Sequence, residues 1–139
     1  VNDEVTSVTG VDIDADSIAW AKKEFKNPKI KYICKSASEV TGKFDTLVCI
    51  ETIEHLKEKS TIPDLVERCK IDNVVVSFPD KKTTHYNKHH AHDFIRQDIV
   101  DLFPNHTVYH TIKFFDSLTV LLTRRAKSPH YIFRNLKDL

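Results

Sequence analysis

Residues Phe44 to Leu56 read FDTLVCIETIEHL, and the fold turns on them. Leu47, Val48, Cys49 and Ile50 form a continuous apolar run, too short for a helix and rich in branched side chains. Such a run reads as a strand covered on both faces, as in a parallel sheet lined by helices. Three ionisable groups follow within five residues: Glu51, Glu54 and His55. In open α/β sheets, ligands bind beyond the carboxyl ends of the strands, so acid, acid and imidazole at that edge suit chemistry or ligand binding. The plainer reading is that the two glutamates favour the N-terminus of a following helix through its dipole.

Working outward, the chain alternates strand and helix patterns. Val5–Ile13 reads as a strand, Ser17–Phe25 as a helix with Ile18, Ala21 and Phe25 on one face, and Lys29–Cys34 as a second strand. Asp14 or Asp16 is placed to cap that first helix. Lys35–Lys43 is a polar turn leading into the third strand, at 45–50. Lys57–Cys69 is an amphipathic helix, and Asn73–Phe78 (NVVVSF) a buried strand stopped by Pro79-Asp80. Lys81–His92 is a loop crowded with His85, His89, His90 and His92. Asp93–Phe103 is a further helix, and His106–Phe115 and Leu118–Thr123 form a hairpin about Asp116-Ser117. The order β, α, β, β, α, β, α and a closing hairpin predicts an α/β domain over 1–125. Its strands at 5–13, 30–34, 45–50 and 73–78 should share one mostly parallel sheet in a Rossmann-like three-layer sandwich, with 45–50 inside it. Residues 126–139 form a basic, poorly patterned tail.

Bulk properties narrow the partners. With 21 Lys and Arg against 20 Asp and Glu, charge gives no reason to expect nucleic acid or an anionic membrane. No apolar run approaches the roughly 20 residues of a membrane helix. Cys34, Cys49 and Cys69 lack CxxC spacing, which predicts buried, reduced thiols and a cytoplasmic setting.

The order of elements, with VTGVDID, FDTLVCIETIEHL, VVVSFPD and HAHDFIRQDIVDLF, resembles the class I S-adenosylmethionine-dependent methyltransferases over Val5 to about Arg125. The resemblance implies methyl transfer from S-adenosylmethionine to an oxygen or nitrogen of an acceptor it leaves unspecified. It implies that Asp12 holds the ribose hydroxyls, with Ile13 beside it, Ser36 and Ala37 toward the adenine and Glu51 at the strand tip. Asp12 as a helix cap and Ser36 as an ordinary turn residue are the plainer alternatives. His55 and His92, with Glu54, are the candidate catalytic groups.

ExxEH with a later histidine is similar to a narrower group, the small-RNA 3′-terminal 2′-O-methyltransferases, which hold a divalent metal with two acids and two histidines. The corresponding metal set is Glu51, Glu54, His55 and a loop histidine, His90 foremost. The family's glycine-rich loop has no counterpart, the chain holding two glycines in all. This predicts a domain whose first strand and glycine loop are missing, with weak or absent cofactor binding and with exposed sheet edges open to self-association. A degenerate relative that keeps the fold as an interaction module is the rival reading.

Overall fold

The structure is a computed structural model that describes residues 4–82 and 89–125. His85 and the tail at 126–139 lie outside them. The chain divides into two compact units, 1–41 and 42–139.

The first unit is a β–α–β turn of chain. β1 (Val8–Asp12) and β2 (Ile30–Cys34) pair in parallel, with Asp12 opposite Cys34. Between them, α1 (Ala15–Glu24) starts where Asp14 accepts from the Ser17 N–H (2.9 Å) and Ser17 Oγ (2.6 Å). Two hydrogen bonds to its exposed carboxylate hold the Asp14 pKa below the usual range. A short 3-10 turn at Ala37–Glu39 follows β2.

The second unit holds a four-stranded sheet in the order β3-β4-β6-β5. β3 (Thr46–Ile50) pairs in parallel with β4 (Asn73–Pro79). β6 (Ser117–Arg124) lies antiparallel between β4 and β5 (His106–Phe114). The β5 ladder shifts register between Val108 and His110. α2 (Thr61–Arg68) connects β3 to β4, and α3 (Arg96–Leu102) connects β4 to β5. Val74, Val76, Phe78, Val120 and Leu122 are fully buried, together with Ile53, Val66 and Ile99. Burying one such side chain stabilises by about 1.5–3 kcal/mol.

Three expectations need correction. The four parallel-type strands do not share one sheet: β1-β2 and β3-β4-β6-β5 are separate. Nor is 45–50 interior, because β3 is an edge strand with Val48 63% and Ile50 50% exposed, and only Cys49 buried. An apolar run records what a strand's faces prefer; it does not record whether a neighbour hydrogen-bonds each edge. Cys34 is exposed, whereas Cys49 and Cys69 are buried, and all three are free thiols. Burial, reinforced by the nearby Glu54 charge, pushes the Cys49 thiol up to about 11.

Two helices also start later than their patterns suggest. Glu58–Ser60 forms a turn before α2, and Phe94 makes an isolated bridge to Asp80 before α3, where the Ile95 N–H donates to Asp98 Oδ2 (2.8 Å).

Candidate functional site

In the second unit the chemistry gathers at the carboxyl ends of β3 and β4. Glu51 follows β3 directly and takes a left-handed backbone, φ +46, sparsely populated by residues other than glycine. Its neighbours explain how it stays there. The Glu51 N–H donates to Ser77 O (3.1 Å) and Ser77 Oγ (3.2 Å), while Ser77 Oγ and Ser117 Oγ donate to Glu51 Oε1 at 3.0 and 2.7 Å. Two hydroxyls from two strands thus fix one carboxylate oxygen. Ser77 was legible as the single polar residue within VVVSF. Ser117 carried no signal, since only the hairpin's pairing brings it to Glu51.

Glu54 sits in a 3-10 turn, Ile53–His55, with its side chain 2% exposed. Burial raises its carboxyl above the usual range, and Glu54 Oε2 is buried with no hydrogen-bond partner among the described residues. The segment at 91–92 wraps onto this turn: Ala91 N–H and His92 N–H both donate to Glu54 O (2.8 and 3.1 Å). His55 Nδ1 lies 3.1 Å from His89 O, and His55 Nε2 lies 3.6 Å from Glu54 Oε1. A carbonyl only accepts, so Nδ1 carries a proton and Nε2 faces the acid. His55 Nε2 and the Glu54 carboxyl thus lie in ion-pair range, just beyond hydrogen-bonding distance. The His90 ring meets His55 edge-on at 5.1 Å, and His90 Nδ1 lies 3.5 Å from Asp93.

The predicted residues sort as follows. Glu54 and His55 come together as expected. His92 does not join them, since its Nε2 donates to Lys57 O (3.0 Å). Of the proposed metal set, Glu54, His55 and His90 place donor atoms within 4.8 Å of one another, but Glu51 is not among them. Its carboxylate belongs to the two serines instead.

In the first unit, Asp12 closes β1. The Asp14 N–H donates to its Oδ1 (2.8 Å), and its backbone oxygen accepts from the Lys35 N–H (3.0 Å). Asp14, not Asp12, is the helix cap. Ile13 is 74% exposed. Ser36 caps the 3-10 turn containing Ala37, with its N–H donating to Glu39 Oε2 (3.1 Å).

This arrangement has relatives. Solved structures with the same fold include the magnesium protoporphyrin IX methyltransferase of Synechocystis PCC 6803 with bound S-adenosylmethionine, 19% identical with a TM-score of 0.66, matching 85% of this chain and 59% of that one. Another is the N-methyltransferase NodS of Bradyrhizobium japonicum WM9, at 14% identity, a TM-score of 0.68, and 85% and 73% coverage. The fold is thus the Rossmann-like α/β fold of class I S-adenosylmethionine-dependent methyltransferases. Residues 1–78 match the model of the methyltransferase domain family, and the chain belongs to that family. The mitochondrial ubiquinone biosynthesis O-methyltransferase of Saccharomyces cerevisiae is 40% identical over 63 residues, 42% of this chain and 20% of that protein. The chain therefore spans about a fifth of that relative's length. No helix among the described residues is long and apolar enough to cross a membrane.

Proposed function

We propose that this chain is part of an S-adenosylmethionine-dependent methyltransferase acting on an oxygen or nitrogen, with oxygen favoured by the yeast O-methyltransferase relative. The observation that carries the reading is the pairing of buried Glu54 with His55 at the carboxyl end of β3, in a chain of this family. When bound, S-adenosylmethionine supplies a methyl group on a positively charged sulfur, open to in-line attack. Asp12 fits its ribose: one carboxylate oxygen is tied to the Asp14 N–H, and a carboxylate has lone pairs left for vicinal hydroxyls. Glu51, fixed by Ser77 and Ser117 at the end of β3, offers a negative charge suited to a cationic ligand. His55 takes the acceptor's proton at Nε2, and Glu54 balances the imidazolium that results. Loss of that proton to His55 would leave the acceptor oxygen free to take the methyl group that the bound cofactor would supply.

Without a glycine-rich backbone cradle in these 139 residues, cofactor binding by the chain is weak. Calorimetry should give a Kd above micromolar, and Asp12→Ala should weaken binding by a further ~1–3 kcal/mol, the usual loss on leaving polar partners unmatched. In the protein at its natural length, His55→Ala should lower methyl transfer by about 10²–10⁴-fold. Unchanged turnover in that variant would remove His55 as the base.

A second reading has one specific observation behind it: three converging donors and an unpartnered buried oxygen on Glu54. Ligands at 2.0–2.2 Å from one ion are at most about 4.4 Å apart, so small movements bring Glu54, His55 and His90 to that geometry. Titration with Mn²⁺ or Zn²⁺ tests it, and Glu54→Gln should weaken any binding seen. Methyl transfer that persists in excess chelator supports the metal-free mechanism.

A further inference from the structure

Two aromatic side chains stand in water at the tip of the β5–β6 hairpin. Phe114 is 70% exposed and Phe115 83%, their rings edge-to-face with centroids 4.6 Å apart. The turn between the strands needs a left-handed residue, and Phe115 fills that place at φ +52, where glycine or asparagine sits with less strain. A bulky residue kept at such an angle points to a use for its ring.

The tip is also pinned in place. Ser117 Oγ donates to Glu51 Oε1 (2.7 Å), the Asp80 N–H donates to Asp116 O (2.7 Å), and Lys113 Nζ lies 3.9 Å from Asp80. These contacts hold the hairpin tip at the carboxyl end of β4, with Ser117, the residue paired with Phe114, against Glu51. Ile112, 44% exposed and two residues before Phe114, continues the apolar strip on the same face of β5.

We propose that Phe114 and Phe115 form an apolar wall of the acceptor site, and that the acceptor is a hydroxyl-bearing molecule with an aromatic or otherwise apolar body. The term acceptor rests on the methyltransferase reading above. A polar acceptor such as a sugar needs hydrogen-bonding partners along its length. The tip offers rings instead, which an aromatic body stacks against edge-on or offset.

The test uses the 139-residue chain with ring-¹³C phenylalanine, titrated with 4-tert-butylcatechol and, as a polar control, methyl glucoside. The Phe114 and Phe115 signals should shift saturably with the catechol alone. Phe115→Gly is the decisive variant, because glycine suits φ +52 and keeps the turn. It should melt no lower than the parent, yet bind the catechol at least tenfold more weakly. Phe114→Ala should weaken binding similarly, and Phe25→Ala in the first unit should leave it unchanged.

Equal affinity in Phe115→Gly overturns the proposal. So do shifts that spread equally to Phe25, shifts that follow protein concentration rather than catechol, and shifts that appear only with lipid vesicles. The two readings fail separately. Catechol binding at the tip without methyl transfer by the natural-length protein sinks the transferase and leaves the wall. Transfer indifferent to both phenylalanine variants sinks the wall alone.

Discussion

The chain contains the same β–α–β motif twice, as β1–α1–β2 and as β3–α2–β4, each with a parallel strand pair. Their burial differs sharply. Among described residues, only Ile18 and Val40 are buried apolar side chains in the first unit, against seventeen in the second. Trp20 is 57% exposed, Phe25 54% and Ile13 74%. The motif's sequence pattern is similar in both places, so the pattern is not what supplies the core. β4 has β6 on its second edge, and the hairpin brings Leu118, Val120 and Leu122 to it. Among the described residues β1 and β2 pair only with one another, and a two-stranded sheet is marginal alone in water.

The largest expected effect tests this contrast directly. Leu122→Ala should destabilise the second unit by about 2–5 kcal/mol, the range for a fully buried leucine. Val11→Ala, on a residue 39% exposed, should cost less than about 1 kcal/mol. Urea unfolding can separate the two, since Trp20 is the chain's single tryptophan and its fluorescence reports on the first unit. Equal losses from the two substitutions would break the comparison.

Next in size is Glu54. Its raised carboxyl pKa means the folded chain holds an extra proton, so this stability is full below about pH 4.5 and is lost as pH rises through the folded value. Glu54→Gln removes the buried charge and should raise neutral-pH stability by roughly 1–3 kcal/mol, with no gain below pH 4. A gain that is the same at pH 4 and pH 7 would contradict the assignment.

The smallest effect belongs to His106, which is buried with its Nε2 donating to Ile71 O (3.1 Å). Burial lowers its pKa from 6.5, so stability present above that value should be lost as pH falls through the lowered one. His106→Gln keeps a donor there and should flatten this acid limb in a melting series from pH 7 to pH 4. Both titrations belong to the second unit, which sharpens the contrast with the exposed Asp14 of the first.

Much of this architecture was legible. The strand centres, a cap at Asp14 or Asp16 and the closing hairpin follow from apolar period and turn residues, which are local properties. The proximity of Glu54 and His55 was also local. What the sequence withheld depended on neighbours. The exposure of Val48 and Ile50 follows from the partner that β3 has on one side only. The removal of Glu51 from the metal set follows from Ser117, 66 residues away. The His89 carbonyl that sets the His55 tautomer lies 34 residues on, and backbone oxygens leave no trace in a motif.

The register shift in β5 has a consequence for insertions and deletions. Val108 stands opposite Leu122, but His110 stands opposite Leu121, so Tyr109 is one residue surplus to the ladder. The surplus resets the strand's phase. Even-numbered residues before it share the face of Leu122, and even-numbered residues after it share the face of Thr119 and Ser117. Deleting Tyr109 should therefore leave both ends of the strand as they are, with an unbroken ladder between them. Deleting a residue from 111 to 113 instead draws Tyr109 into the ladder opposite Leu121 and turns over each side chain from His110 to the gap. Position 109 is thus the joint at which this strand's length can change without turning a side chain over.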